Sequence, residues 1–322
     1  MPPALAARTL ALSDGSRRLL ERIASMPPAG TIRRVEVSLL GHAGRTRIDA
    51  ADLRAPALGH VVRYGALLDA LRRAAAAHAW APPGASSDAD ADPAPTVHAD
   101  GDAGDDAAVR EFGQSALLGD VVAARAGADR RSSAFERFTP DGPLALLPLP
   151  EPGRWTMVWC DRAERCEARL ALPRDALAAE LRARFGDALG PLAVDGPLAV
   201  APLVRRARRR TSGEREAWIG NAAQALHPVA GQGLNLGLRD AFELADALAP
   251  VALRGRPLAD ALDGWRRDRR ADRATTIALT DLMAASFTWP LARGLQSPLL
   301  ALLDLVPPLR RPLAAQLMFG RR

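Results

Sequence analysis

The 322-residue sequence predicts an α/β fold. Strand-like and helical stretches alternate near both ends, while the middle is a series of strand-like runs cut by Pro and Gly turns. A third sign is the stretch 217–248, which reads as a short strand, a glycine loop and a strong helix. With 48% apolar residues, a chain this long buries a sizeable core, as one large domain or two.

In chain order, Leu5 to Leu12 reads as a loop or short strand, and Ser13 and Asp14 are candidate caps for a helix running to about Ala24. Leu19, Leu20 and Ile23 would form its buried side, and Met26-Pro27-Pro28 stops it. Arg34 to Ser38 alternates as a half-buried strand, Gly41 to Gly44 is a turn, and Tyr64 to His78 is an Ala-rich helix. Trp80 to Pro95 has linker composition. Strand-like runs resume at Ser115–Ala123, Pro143–Leu149 and Trp155–Cys160, followed by a helix from Asp175 to Phe185 closed by Gly186. Ala217–Ile219 is a short strand. Asn235 to Leu248 carries Leu238, Ala241, Phe242, Ala245 and Leu248 at helical spacing. A charged helix over 258–285 and a Leu-rich, Pro-broken helical tail complete the chain.

Composition narrows the function classes. The net charge is +6, yet the chain has no Lys: all 43 cations are Arg, a compositional bias more than a polyanion-binding signature. Tyr64, the single Tyr, argues against a base-stacking surface. The run Arg205-Arg206-Ala207-Arg208-Arg209-Arg210 could contact phosphates, but a solvated face is the commoner use, and no nucleic acid is expected. Cys160 and Cys166 fit neither a zinc knuckle nor a redox pair, so no metal is expected and a reducing cytoplasm is the default. Met1 to Leu12 has no signal-peptide pattern, and no run reaches the roughly 18 apolar residues of a membrane span. Arg293, Arg310, Arg311, Arg321 and Arg322 interleave with Leu and Pro in the tail, which suits either packing on the body or peripheral contact with the inner face of a membrane.

The chemistry concentrates in Gly220-Asn221-Ala222-Ala223-Gln224-Ala225-Leu226-His227-Pro228-Val229-Ala230-Gly231-Gln232-Gly233-Leu234-Asn235. Glycines admit a ligand close to the backbone, and a helix N-terminus offers free N–H groups and partial positive charge. The site suits a group that is or becomes negative. An ordinary strand–loop–helix turn fits the spacing equally well. His227 alone in the motif could titrate near neutrality, in a proton-handling, ring-flanking or structural role.

This stretch resembles the second flavin-binding motif of the class A FAD-dependent monooxygenases, the family whose founding fold is p-hydroxybenzoate hydroxylase. Asn221 and Gln224 replace the family's usual Asp and His, and with Leu226-His227-Pro228 they resemble its ubiquinone-biosynthesis branch, closest to 2-octaprenyl-6-methoxyphenol hydroxylase. Val35-Glu36-Val37-Ser38, Phe135-Glu136-Arg137-Phe138-Thr139, Val158-Trp159-Cys160 and Asp272-Arg273-Ala274-Thr275 are further similar stretches.

The resemblance implies a Rossmann-like FAD-binding domain with an inserted β-rich substrate domain and a helical tail. Its limits would be a partial FAD domain at 1–106 with linker 80–96, the substrate domain at 107–205, the rest of the FAD domain at 206–286 and the tail at 287–322. It implies that NAD(P)H reduces FAD and that a flavin hydroperoxide formed with O2 hydroxylates a prenylated phenol, with other ubiquinone-biosynthesis proteins as candidate partners. Asn221 would lie near the flavin phosphate or ribityl chain. Pro228 would flank the ring, and Gly231, Gln232, Gly233, Leu234 and Asn235 would wrap its pyrimidine edge. Arg8 resembles the Arg of an early motif beside the flavin, and Asp100-Gly101 a remnant of the family's Asp-Gly contact. The family's opening strand and G-x-G-x-x-G turn, and the strands before Asp100, are not found in this sequence. A non-catalytic homologue or scaffold subunit that binds no FAD is the alternative.

Overall fold

Side-chain alternation along β7 (Ala107–Val122) and β11 (Ala193–Arg208) shapes the largest layer of the molecule. The structure, a computed structural model, describes residues 8–42, 44–77, 94–123 and 125–288, with scattered tail positions between 298 and 320. Most of the expected linker and tail lies outside the described residues. Around β7 and β11 stand β3 (Arg34–Leu39), β4 (Arg45–Asp49), β8 (Ser133–Phe138), β9 (Pro143–Pro148), β10 (Arg154–Arg162) and β13 (Gln224–Ala225). Their order is β13-β11-β7-β10-β9-β8-β3-β4, antiparallel except between β3 and β8.

One face of this sheet carries the main core. Leu117, Val121, Phe135, Leu144, Leu146, Trp155, Met157 and Trp159 point to the same side. There they meet Cys166 of α3 (Ala163–Leu170) and Leu177, Leu181 and Phe185 of α4 (Arg174–Phe185). Trp155 is fully buried, and its indole N–H donates to the Ser133 carbonyl at 3.2 Å. Arg169 lies 4.0 Å above the Trp159 ring and pairs with buried Asp161 at 2.7 Å.

Two smaller sheets complete the α/β frame. β1 (Thr9–Ser13), β5 (Gly59–Arg63) and β2 (Gly30–Ile32) form an antiparallel sheet in the order β1-β5-β2. Ser13 caps α1 (Asp14–Glu21) by accepting the Ser16 N–H, as its sequence position predicts. α2 (Tyr64–Ala77) follows β5 directly. β6 (Thr96–His98) and β12 (Glu216–Trp218) form a parallel pair. α5 (Gln232–Arg254) and α6 (Leu258–Thr288) pack on each other through Leu244, Leu258, Leu262 and Trp265.

Two departures from the sequence reading have clear causes. β5 is buried along Gly59 to Val62, so it lacks the polar–apolar alternation that marks a strand. β11 is not marked as a strand by the sequence because Gly196-Pro197 and Pro202 interrupt it; register shifts between Asp195 and Ala199 and between Pro202 and Val204 absorb them. Trp155→Ala is expected to lower unfolding free energy by about 3–5 kcal/mol, seen as a lower denaturant midpoint at unchanged slope.

Candidate functional site

The parallel strands β6 and β12 end side by side, and the residues after them form the first part of the site. A side chain at Gly101 would lie 3.9 Å from the Asn221 Cβ, so Asp100-Gly101 and Gly220-Asn221 share one edge. Carboxyl ends of parallel strands are the usual ligand edge of α/β sheets. The edge is stiffened from below: His98 stacks on Trp218 at 4.9 Å, and Arg208 lies 4.3 Å over the same indole. The Asp100 carboxylate accepts the Asp102 N–H, and Asp102 accepts the Gly104 N–H, so these acids fold their own loop. Asn221 is exposed, with no side-chain hydrogen bond among the described residues.

The second part is the turn into α5. Gly231 adopts φ +59°, a left-handed conformation that L side chains resist, and the helix begins at the next residue. One turn later, a Cβ at Gly237 would sit 2.8 Å from the Gly220 Cα, so only glycine lets α5 approach the Asn221 turn. At Gly233 no described atom would meet an added Cβ within 4 Å, leaving open backbone at the helix start. Pro228 is exposed beside it, and Gln232 is buried.

Two motif residues serve as scaffold. Asn235 accepts the Ser13 N–H at 2.8 Å and donates to the carbonyls of Ala11 and Gly231. Its side chain stitches α5 to β1. Leu234 packs with Leu12, Leu20, Val62 and Leu67. Arg8 stands exposed just before β1, its carbonyl accepting the Tyr64 N–H.

His227 is 1% exposed and meets the edge of Phe112, with ring centres 4.9 Å apart. Burial pushes its pKa down to about 4, so it does not titrate near neutrality as its sequence position suggested. Its Nδ1 accepts the Val229 N–H at 3.1 Å, which puts the ring proton on Nε2. Nε2 is buried with no partner among the described residues. His227 is therefore a neutral donor.

Beneath the loop lies a buried polar network. Gln224 donates to Asp240 and accepts from Arg273, both at 2.6 Å. Asp240 also accepts from Arg269 at 2.8 Å, and Arg269 reaches Glu243 and Asp272. Burial opposes the Arg269 charge, but Asp240, Glu243 and Asp272 outweigh it and raise its pKa. Arg273 donates further to the carbonyls of Arg208 and Ala223. Sequence reading marked Gln224 and Asp272-Arg273 as matches without seeing that they meet. It missed Phe112, an unmarked strand residue, and Arg269, whose signal was a charge on the buried side of a helix; Asp240 stood in the matching stretch without a role. The arginine run is dispersed by strand alternation: Arg205 pairs with Asp281, and Arg208 with Asp106. A surface hollow of about 480 Å³ lined by Arg256, Asp260, Asp263, Arg266 and Arg267 shares no residue with this site.

The family described as FAD binding domain matches residues 106–279. Ubiquinone hydroxylase UbiL of Rhodospirillum rubrum is 39% identical over 179 residues, covering 55% of this chain and 41% of the relative. The 3-demethoxyubiquinol 3-hydroxylase of Escherichia coli is 33% identical over 183 residues, covering 55% of this chain and 45% of the relative. Matched segments thus span less than half of these relatives' length. Among solved structures, pqsL, a probable FAD-dependent monooxygenase from Pseudomonas aeruginosa, superposes at TM-score 0.67 and 18% identity, covering 91% of this chain and 88% of that one. The likeness shows the α/β fold of that class.

Asp240→Ala strands Arg269 and Gln224 in the interior and is expected to cost about 3–5 kcal/mol in a denaturant titration. His227 should show no NMR titration from pH 5.5 to 8. Its neutral form should contribute stability fully present above pH 6.5 and lost as pH falls through about 4. A titration midpoint near 6.5 would contradict the buried environment.

Proposed function

We propose that this chain, which belongs to the FAD binding domain family, carries the flavin loop and substrate sheet of an FAD-dependent aromatic hydroxylase of ubiquinone biosynthesis. Its substrate is a prenylated phenol, with NAD(P)H and O2 as co-substrates. The observation that carries this reading is the meeting of three parts at one place. Open backbone at the start of α5, the paired strand ends at Gly101 and Asn221, and the buried unpartnered donor of His227 adjoin a sheet face through Phe112.

The residues fit an extended anionic cofactor. Asn221 and Asp100-Gly101 would hold its phosphate–ribityl stretch at the strand ends, with Arg8 reaching it from β1. Pro228 would flank the ring, and the Gly231–Asn235 turn, through the N–H groups of Gly233 and Leu234, would meet the pyrimidine edge. There the α5 dipole favours negative charge. FAD, once reduced, supplies the activation of oxygen that no side chain here can provide. The chain's own part is to orient ring and substrate, to exclude water, and to present the His227 Nε2–H as a fixed donor. Because His227 stays neutral across the working pH range, it stabilises developing negative charge on oxygen by hydrogen bonding and does not serve as a general base.

Among the described residues, no helix is long and apolar enough to cross a membrane. A prenylated substrate would suit peripheral contact with a membrane surface.

Titration of the purified chain with FAD, followed by quenching of flavin fluorescence, should reach a 1:1 end point. Gly231→Val, which forces a β-branched side chain into φ +59°, should weaken binding at least about tenfold. Failure of the unaltered chain to bind FAD would favour the non-catalytic homologue. His227→Ala should bind FAD within about threefold of the parent but hydroxylate the phenol about 10- to 100-fold more slowly, with no change in the shape of the pH profile between 6 and 8. An unchanged rate would remove His227 from the mechanism.

A further inference from the structure

The eight-stranded sheet has two unlike faces. One is sealed by α3 and α4 over the aromatic core. The other faces the small sheet and the motif: the Thr9 hydroxyl of β1 donates to Thr156 at 2.9 Å, Arg63 of β5 pairs with Asp120 at 2.5 Å, and Phe112 meets His227 of the motif. Partners directly across a ladder share a face. Register therefore strings Thr46, Val37, Glu136, Ala145, Val158 and Leu118 into one row on this second face.

Glu136 is the charged member of that row. Its chain neighbours point to the helix-covered face, Phe135 against Phe185 and Arg137 onto the Arg184 carbonyl. The Glu136 side chain, half-buried, has no hydrogen bond or ion pair among the described residues. Burial pushes its carboxyl up to about 7. The other titratable groups on this face do not answer its charge. Cys160 is buried with its thiol pKa raised, by burial first and by Glu136 next, so it stays neutral. Asp120 is held by Arg63. Glu36 lies on the opposite face and pairs with Arg130. At the end of the row the Thr46 hydroxyl is also buried, with no partner among the described residues. An acceptor left unpaired over an apolar floor is costly in a fold and costs nothing extra once a ligand donor meets it.

We propose that Glu136 receives the hydroxyl of the phenolic substrate while the aromatic ring lies on Ala145, Val158 and Leu118. The assignment rests on the hydroxylase reading above and adds the group that anchors its substrate. A carboxylate accepting the phenol O–H draws that proton toward itself and leaves the ring richer in electrons. An electrophilic oxygen donor requires such a ring. The carboxyl keeps its proton below neutrality and loses it above, so anchoring should strengthen with pH through about 7.

The test uses the full chain, 2-methoxy-6-prenylphenol and its O-methyl ether, with dissociation constants from equilibrium dialysis at pH 6 and pH 8. The parent chain should prefer the phenol about tenfold at pH 8 and by less at pH 6, as expected for a hydrogen bond to a charged acceptor. Glu136→Gln keeps the shape of the side chain and should show a weaker preference that no longer changes with pH. Glu136→Ala should bind phenol and ether within about twofold of each other. Equal binding by the parent, or a full preference retained in both variants, overturns the assignment. FAD titration of the same three proteins separates the two levels. A Glu136-dependent preference without FAD binding upholds the anchor and sinks the hydroxylase reading, whereas FAD binding with no preference does the reverse.

Discussion

The carboxylate of Asp240 governs the geometry of everything above it. It is buried, as are its partners Gln224 and Arg269, and each of these belongs to a different element. Apolar contact between α5 and α6, through Leu244, Leu262 and Trp265, draws the helices together without fixing their register. Directional bonds supply that register. Gln224 fixes the loop to α5, Arg269 fixes α5 to α6, and Arg273 carries the link to the Arg208 and Ala223 carbonyls. Buried ions carry a desolvation cost of several kcal/mol each, so the network is weak as a source of stability. Its effect is positional: it sets where Gly231 turns and where the first N–H groups of α5 point.

The same network shows why arginine matters at these positions. Arg269 meets three carboxylates and Arg273 three acceptors, through one planar fork each. A lysine ammonium presents a compact point charge and could not hold such partners in one plane. Arg169 adds a stacked case, lying over Trp159 while pairing with Asp161 and Glu180. A chain whose every cation is Arg looks biased in composition, yet at these buried sites the choice is functional.

Legibility in the sequence followed burial and periodicity. The helix at 232–254, the alternating strand at 34–39 and the Ser13 cap were readable because one side of each is apolar or one residue type has a local partner. β5 was opaque because it is buried without alternation, and β11 because its prolines sit at bulges that only pairing with β7 reveals. The glycines of the motif were legible as backbone devices. Leu234 and Asn235, grouped with them by resemblance, turn their side chains to the core and to β1. Glu136 looked like one letter of a matching stretch. Its isolation appears only when six strands are laid in register.

The large sheet divides labour between its faces. The helix-covered face holds Trp155, Trp159, Leu144 and Leu146 at 1% exposure or less, so stability can reside there. The opposite face is packed only in part, where Val35, Ile48, Ala134 and Leu147 meet Ile32, Leu58 and Val61. It keeps Glu136 and Thr46 without side-chain partners among the described residues, meets the small sheet at Thr156 and Asp120, and meets the glycine loop at Phe112. A buried, neutral His227 follows from the same arrangement. The loop that carries it is pressed against the sheet, which removes the water that would otherwise charge it. A neutral His227 and an unanswered Glu136 carboxyl thus share one origin, a sheet fully packed on its helix-covered face and packed only in part on the other.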